Sequence, residues 1–167
     1  MTEFRITNEH RPSDLGSIVG LLESPRLWVP THQDYPKHNE WLQKAEAQIA
    51  DDSKRAMLAY SGREPVGTVI YQRHQTRPGV VEVKNISVSP ISRGRYFGSF
   101  LLRNTEIEAT TQDFPNCTAV MVDTKITNTD MITFLHGQGY RLEEITDLYG
   151  QDAGLDAVLV KSLAVSD

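Results

Sequence analysis

The chain has 167 residues, of which 39% are hydrophobic and 23% charged, and its 17 basic against 22 acidic side chains leave a net charge of −5. Length and composition describe one folded domain spanning residues 1–167, with a core large enough to need neither disulfides nor a metal, and they exclude a disordered chain. The acidic balance speaks against nucleic acid as a partner, which asks for a basic face, and a lone cysteine, Cys117, excludes a disulfide framework and a thiolate metal cluster while fitting a reducing compartment.

The first twelve residues, MTEFRITNEHRP, are polar and show no apolar core of a secretory signal. No later apolar run approaches the ~20 residues a spanning helix needs. The expected setting is therefore cytoplasmic, with no membrane partner. Phe4 and Ile6 alternate with polar residues, as in a short edge strand. Ser13 precedes Leu15, Ile18, Val19 and Leu22, whose spacing predicts an amphipathic helix with a serine N-cap, ending near Ser24-Pro25. A polar-aromatic connector with three prolines fills residues 25–38. A second helix follows from about Asn39, with Leu42, Ala45 and Ile49 on one face. Strands are predicted at Lys54–Tyr60 and Pro65–Arg73, joined by the turn Ser61-Gly62-Arg63-Glu64.

After a turn at Gln75–Gly79, Val81–Ser89 reads as the central strand. One of its faces carries Val81, Val83, Asn85 and Ser87, the other Glu82, Lys84, Ile86 and Val88. Pro90 ends it, because proline cannot donate to a ladder. The loop ISRGRYFG leads to a helix from about Gly98. Cys117–Thr124 is a further strand with Thr118, Val120 and Val122 alternating. Asn128 is placed to cap a helix over Met131, Phe134 and Leu135, closed by Gly137 and Gly139. Strands at about Tyr140–Leu148 and Leu155–Leu163 complete the pattern. Strand, loop, helix and strand in the middle imply a parallel crossover, and hairpins on both sides a mixed sheet. The predicted class is α/β, a mixed central sheet flanked by helices.

The segment from Val83 to Leu102 carries the chemistry. It is a strand, a tight loop and a helix N-terminus, which aims backbone N–H groups and the positive end of the helix dipole at one spot suited to phosphate. Gly94 and Gly98 allow close backbone approach, and Arg93 and Arg95 can pair with phosphate oxygens. An isolated loop of this kind also serves as a plain turn with solvated arginines. A dinucleotide site is disfavoured, because the loop lacks Gly-x-Gly-x-x-Gly and lies mid-chain after antiparallel strands.

The same stretch resembles the coenzyme A-binding motif of the GNAT superfamily of N-acetyltransferases. In that family a strand ending Val-x-Pro is followed by a glycine-bearing loop and a helix with Leu-Leu. Here those residues are Val88-Ser89-Pro90, Arg93-Gly94-Arg95-Tyr96-Phe97-Gly98 and Leu101-Leu102. Tyr96 stands where the family usually has its first glycine. Downstream, Val122-x-Thr124-x-x-x-Asn128-x-x-Met131-x-x-x-Leu135-x-x-x-Gly139-Tyr140 keeps the family's second spacing, with Leu135 in place of the tyrosine that serves many members as general acid.

The resemblance implies a GNAT-like fold and transfer of an acetyl group from acetyl-CoA, the cosubstrate, to a primary amine on a small molecule or protein, with no metal. It implies that Ile86, Ser87 and Val88 line the coenzyme. Arg93, Gly94, Arg95, Tyr96, Phe97, Gly98 and Ser99 would cradle its pyrophosphate, and Asn128 would face the pantetheine arm. The backbone N–H of Val88 would hold the thioester oxyanion. The position of Glu82 resembles that of the strand glutamate that acts as general base in the founding enzymes of the family. Its alternative is a strand-end carboxylate paired with Lys84 or Arg73. Six residues separate Glu82 from Val88, about 20 Å along an extended strand, so the base role requires a water relay or a bent strand.

Other residues add less. The five histidines show no metal-ligand spacing; His74 is a lesser base candidate and His136 a helix C-terminal cation. Trp28, His32, Tyr35, His38 and Trp41 form either a wall over the acceptor or a loop packed on itself. Cys117 reads as a small buried hydrophobe. The rival function is a non-catalytic acyl-CoA-binding module. The acceptor is left open, and so is oligomeric state, a homodimer included.

Overall fold

A computed structural model of the chain describes residues 4–7, 12–23, 38–111, 113–150 and 154–163. Two compact units can be traced, one of Met1–Gln72 with Asn85–Thr105, the other of Arg73–Lys84 with Glu106–Asp167.

The first unit starts with strand β1 (Phe4–Thr7) and helices α1 (Pro12–Glu23) and α2 (His38–Ala50), followed by the hairpin of β2 (Arg55–Ser61) and β3 (Glu64–Arg73). β1 pairs antiparallel with β2, and β2 with β3, the hairpin turning at Gly62 with φ +64°. Ser13 is not the N-cap expected for α1. The helix begins one residue earlier at Pro12, whose fixed φ and missing N–H suit a first helical position. The periodic apolar residues behave as predicted. Ile18 and Leu22 of α1 meet Leu42 and Ile49 of α2 and Ala56, Leu58 and Ile70 of the hairpin in one buried cluster. Each Leu and Ile side chain among them contributes about 1.5–3 kcal/mol by leaving water. The Tyr60 hydroxyl donates to Asp14 Oδ1 at 2.9 Å and ties α1 to β2. Strand β4 (Val80–Val88) enters this unit at Asn85, and helix α3 (Phe97–Glu108) leaves it after Thr105.

In the second unit, β4 pairs parallel with β5 (Ala119–Lys125) from Val80↔Ala119 to Val83↔Val122, which is the predicted crossover. β7 (Asp156–Ser162) lies antiparallel to β5 along its whole length, and β6 (Arg141–Thr146) lies outside β7. The order here is β4-β5-β7-β6, and that of the first unit is β1-β2-β3-β4. Helix α4 (Thr129–Gly137) follows β5, capped by Asn128 as expected, with Oδ1 accepting from Met131 N at 3.3 Å. Gly137 is the last residue of α4, and the closing turn falls at Gly139, φ +90°. Val81, Val83, Val120, Val122, Leu135, Tyr140 and Leu159 are buried in this unit. Cys117 precedes β5 instead of opening it. It is half-buried, its thiol donating to Ala119 O at 3.3 Å. Among the described residues no helix is long and apolar enough to cross a membrane.

Candidate active site

The loop after β4 is built by its backbone. Ser89 N–H donates to Val66 O of β3 at 2.8 Å. Successive N–H groups of a strand face opposite edges, so the Val88 N–H points away from β3. The ladder to β5 has already ended at Val83↔Val122. Pro90–Ser92 then forms one 3-10 turn, with Ser92 N–H on Ser89 O at 2.8 Å. The Arg93 Nε donates back to Val88 O at 3.2 Å, folding the loop against the strand end.

Two residues of the loop are left-handed, Gly94 at φ +72° and Tyr96 at φ +67°. Glycine adopts that conformation freely. For tyrosine it costs about 1–2 kcal/mol. Tyr96 thus holds a conformation that glycine adopts freely, and its ring is 75% exposed. Helix α3 starts at Phe97, one residue ahead of the expected Gly98, and its first bond runs from Phe100 N–H to Tyr96 O at 2.9 Å. The amides of Gly98 and Ser99 fall in the first turn, where a helix has no partner of its own to offer. Phe97, Leu101 and Leu102 bury their side chains and hold the helix start in place, while Arg95 is exposed. Gly67 lets β4 end close to β3: a Cβ there would lie 3.0 Å from Ser87 O and 3.3 Å from Val88 Cγ2. Ser87 itself is buried, its hydroxyl donating to Asn85 Oδ1 at 2.7 Å, and Ile86 is half-buried.

The second unit assembles charged side chains on one face of its sheet. Alternation and register put Glu82 and Lys84 of β4, Asp123 and Lys125 of β5 and Asp156 of β7 on that face. Glu82 is buried, and Lys84 Nζ donates to its Oε1 at 2.8 Å, the paired alternative of the sequence reading. Lys125 Nζ holds Asp156 at 2.9 Å and Gly154 O at 3.1 Å. Asp123 takes the Tyr149 hydroxyl on Oδ2 at 2.9 Å, and Lys125 Nζ lies 5.1 Å from the Tyr149 ring centroid.

Burial raises the Asp123 carboxyl above its ordinary value of 3.8. Lys84 and the Tyr149 hydrogen bond pull it down, and the charges of Glu82 and Asp156 push it up. The Tyr149 phenol is raised as well, by burial first and then by Asp123. Neither Asp123 nor Tyr149 stands out in the sequence. Asp123 is the polar end of an otherwise apolar strand, and Tyr149 follows β6 in a segment without periodicity.

The remaining candidates fall as follows. Asn128 caps α4, and its Nδ2 donates to Thr124 Oγ1 at 3.1 Å. Leu135 is fully buried and has no acid to offer. His74 Nδ1 accepts from the N–H groups of Thr76 and Arg77 at 3.2 and 3.1 Å, so it shapes the turn before β4. It borders a cavity of about 240 Å³ with Arg73, Arg77, Phe114 and Cys117. His136 Nδ1 lies 3.1 Å from Tyr140 O at the end of α4. Trp41 packs partly against the core of the first unit. Trp28, His32, Tyr35 and the His38 side chain lie outside the described residues. Among the described residues no group of three His, Cys, Asp or Glu could hold a metal.

Comparisons with known proteins converge on one family. The profile of the Acetyltransferase (GNAT) family matches residues 19–140. An N-acetyltransferase from Staphylococcus aureus superposes with a TM-score of 0.75 at 14% identity, over 98% of this chain and 100% of that one. The ribosomal-protein-S18-alanine N-acetyltransferase from Escherichia coli gives 0.71 at 13% identity, over 99% and 97%. A mutant of spermidine N-acetyltransferase from Vibrio cholerae gives 0.70 at 14% identity, over 96% and 94%. At these identities the likeness concerns the fold. No curated protein sequence matches the chain.

Proposed function

The chain belongs to the acetyltransferase (GNAT) family and is an acyltransferase, and from that premise we propose that it transfers an acetyl group from acetyl-CoA to a primary amine within a ternary complex. The observation that carries this reading is the loop from Val88 to Ser99, where two left-handed residues and the start of α3 gather backbone amides beside two arginines. An anion is favoured at such a helix start by its donors and by the dipole together.

The backbone of Arg95–Ser99 is assigned the coenzyme pyrophosphate, with Arg93 and Arg95 as charged partners. The strand end Ile86–Val88 is assigned the pantetheine arm, and Asn128 keeps the coenzyme role that the family resemblance implies. The Val88 N–H is assigned the thioester oxygen as charge develops there; one such donor is worth about 10²–10³ in rate. The amine must lose a proton before it attacks, and Glu82 is the carboxylate the family resemblance assigns to that step. A cytoplasmic setting completes the proposal.

A thiol-release assay tests it, with purified protein, acetyl-CoA and amines that include spermidine and a peptide with an N-terminal alanine, the acceptor types named for two structural neighbours. Amine-dependent release of free thiol is the expected result. Tight acetyl-CoA binding with no release across the panel establishes the non-catalytic binding module instead.

A further inference from the structure

We infer that Asp123, held by the Tyr149 hydroxyl, is the general base that takes the acceptor's proton, in place of Glu82. The inference rests on the acyl-transfer reading and adds to it the residue that meets the amine.

Along β4, β5 and β7, one face of the second unit's sheet carries three carboxylates, Glu82, Asp123 and Asp156, and two ammonium groups, Lys84 and Lys125; β6, beyond β7, adds Glu144 and Arg141 to that face. Lys84 holds Glu82 at 2.8 Å and Lys125 holds Asp156 at 2.9 Å. Asp123 alone of these three makes no ion pair within 4 Å among the described residues; it takes the neutral Tyr149 hydroxyl at 2.9 Å, and Lys84 acts on it from farther away. An alkylammonium supplies the missing cation. Glu82 already has its cation in Lys84.

The two carboxylates also differ in position. Glu82 pairs with Met121 inside the parallel ladder. Asp123 is the first residue of β5 beyond Val122, where that ladder ends, and the carboxyl end of parallel strands is where sheets of this class open to ligands. Asp123 is half-buried and Tyr149 is 59% exposed, so a substrate can reach the pair. Burial raises the Asp123 carboxyl, and a base working near neutral pH needs a value above the ordinary carboxylate range. The groups that face it are Lys84 and Glu82 from β4, Asp156 from β7 and Tyr149 from the segment after β6, with Lys125 next on its own face.

The N–H bond of R–NH3+ breaks and an O–H bond forms on Asp123 Oδ1, since Oδ2 is held by Tyr149. The amine lone pair forms the C–N bond at the thioester carbonyl. The C–S bond breaks with its electron pair on sulfur, and the remaining ammonium proton of the adduct passes to that sulfur. Asp123 then returns its proton to water. Tyr149 is a positioning residue that fixes which oxygen is exposed.

The test is the pH profile of kcat/KM for the best acceptor of the panel, alongside calorimetric acetyl-CoA affinity. Asp123→Asn is expected to lower kcat/KM by about 10²–10⁴-fold, to remove the acidic limb and to leave coenzyme affinity in place. Tyr149→Phe is expected to move the acidic limb to higher pH, because the carboxylate loses a hydrogen bond that favours its charged form. Glu82→Gln is expected to keep the limb. The assignment is overturned if Asp123→Asn keeps the acidic limb, if Glu82→Gln removes it, or if Tyr149→Phe leaves it unmoved. A wild-type protein that releases no thiol with any amine overturns the acyl-transfer reading itself, a result distinguishable from all three.

Discussion

A base raised by burial weakens the fold it belongs to, and Asp123 makes that trade measurable. Its carboxyl holds a proton more tightly in the folded protein than in the unfolded chain, whose ordinary value is 3.8. The stability this contributes is fully present below that value and is lost as pH rises through the raised folded one. At neutral pH the ionised group is therefore a net cost. Asp123→Asn keeps an oxygen for the Tyr149 hydroxyl and removes the charge. It is expected to raise the melting temperature at pH 7, with the difference from wild type closing as pH falls toward 4; a variant less stable at pH 7 would contradict the burial argument. Gly67 gives the opposite case. Its Cβ would meet Ser87 O at 3.0 Å and Leu101 Cδ1 at 3.2 Å, one of them backbone. Gly67→Ala should cost about 1–3 kcal/mol in a denaturant titration by overpacking. It should also weaken acetyl-CoA binding, because the atoms that must give way belong to the strand end assigned to the coenzyme.

Helices α3 and α4 show which features of an element can be read ahead of its structure. The glycine-bearing loop marked the start of α3 to within one residue, and Asn128 and the glycines after Leu135 bounded α4 to within two, because those signals are local. The facing of α4 was also legible, since Leu135 recurs with Met131 and packs fully buried. Leu135→Tyr is therefore expected to destabilise the protein by about 1–3 kcal/mol without raising turnover, the added phenol having no room. What the sequence hid is register. Asp123 meets Tyr149, and Glu106 of α3 meets Lys161 of β7, only because particular strands pair at particular offsets. Glu106 is 3% exposed and takes Lys161 Nζ on both oxygens at 2.8 Å, with the Tyr140 hydroxyl at 3.3 Å. Lys161→Met removes the ammonium that pairs with that buried carboxylate and should cost about 3–5 kcal/mol. The double variant with Glu106→Gln should recover most of the loss, since the buried charge is removed along with its cation; a thermodynamic cycle of the four proteins checks it. Ser13 failed as a cap for a related reason. Serine and proline both start helices, and the sequence offered them side by side.

At the scale of the whole molecule, a ligand that binds only the folded chain stabilises it by mass action. Acetyl-CoA at 100 times its dissociation constant should add about 2.7 kcal/mol, which for a chain of this size raises the melting temperature by roughly 5–10 °C. Gly98→Glu separates this effect from stability itself. Gly98 is the second residue of α3, where a longer side chain gains helix propensity and an acid suits the positive end of the dipole. The variant without ligand should melt at or above the wild-type temperature. The same carboxylate then occupies the place proposed for pyrophosphate, with charge of the same sign. Thermal scans with and without acetyl-CoA should therefore show the full upward shift in wild type and almost none in Gly98→Glu. An equal shift in both proteins would remove the loop after β4 as the coenzyme site. A variant that melts well below wild type without ligand would show that Gly98 is required by the fold before any anion arrives.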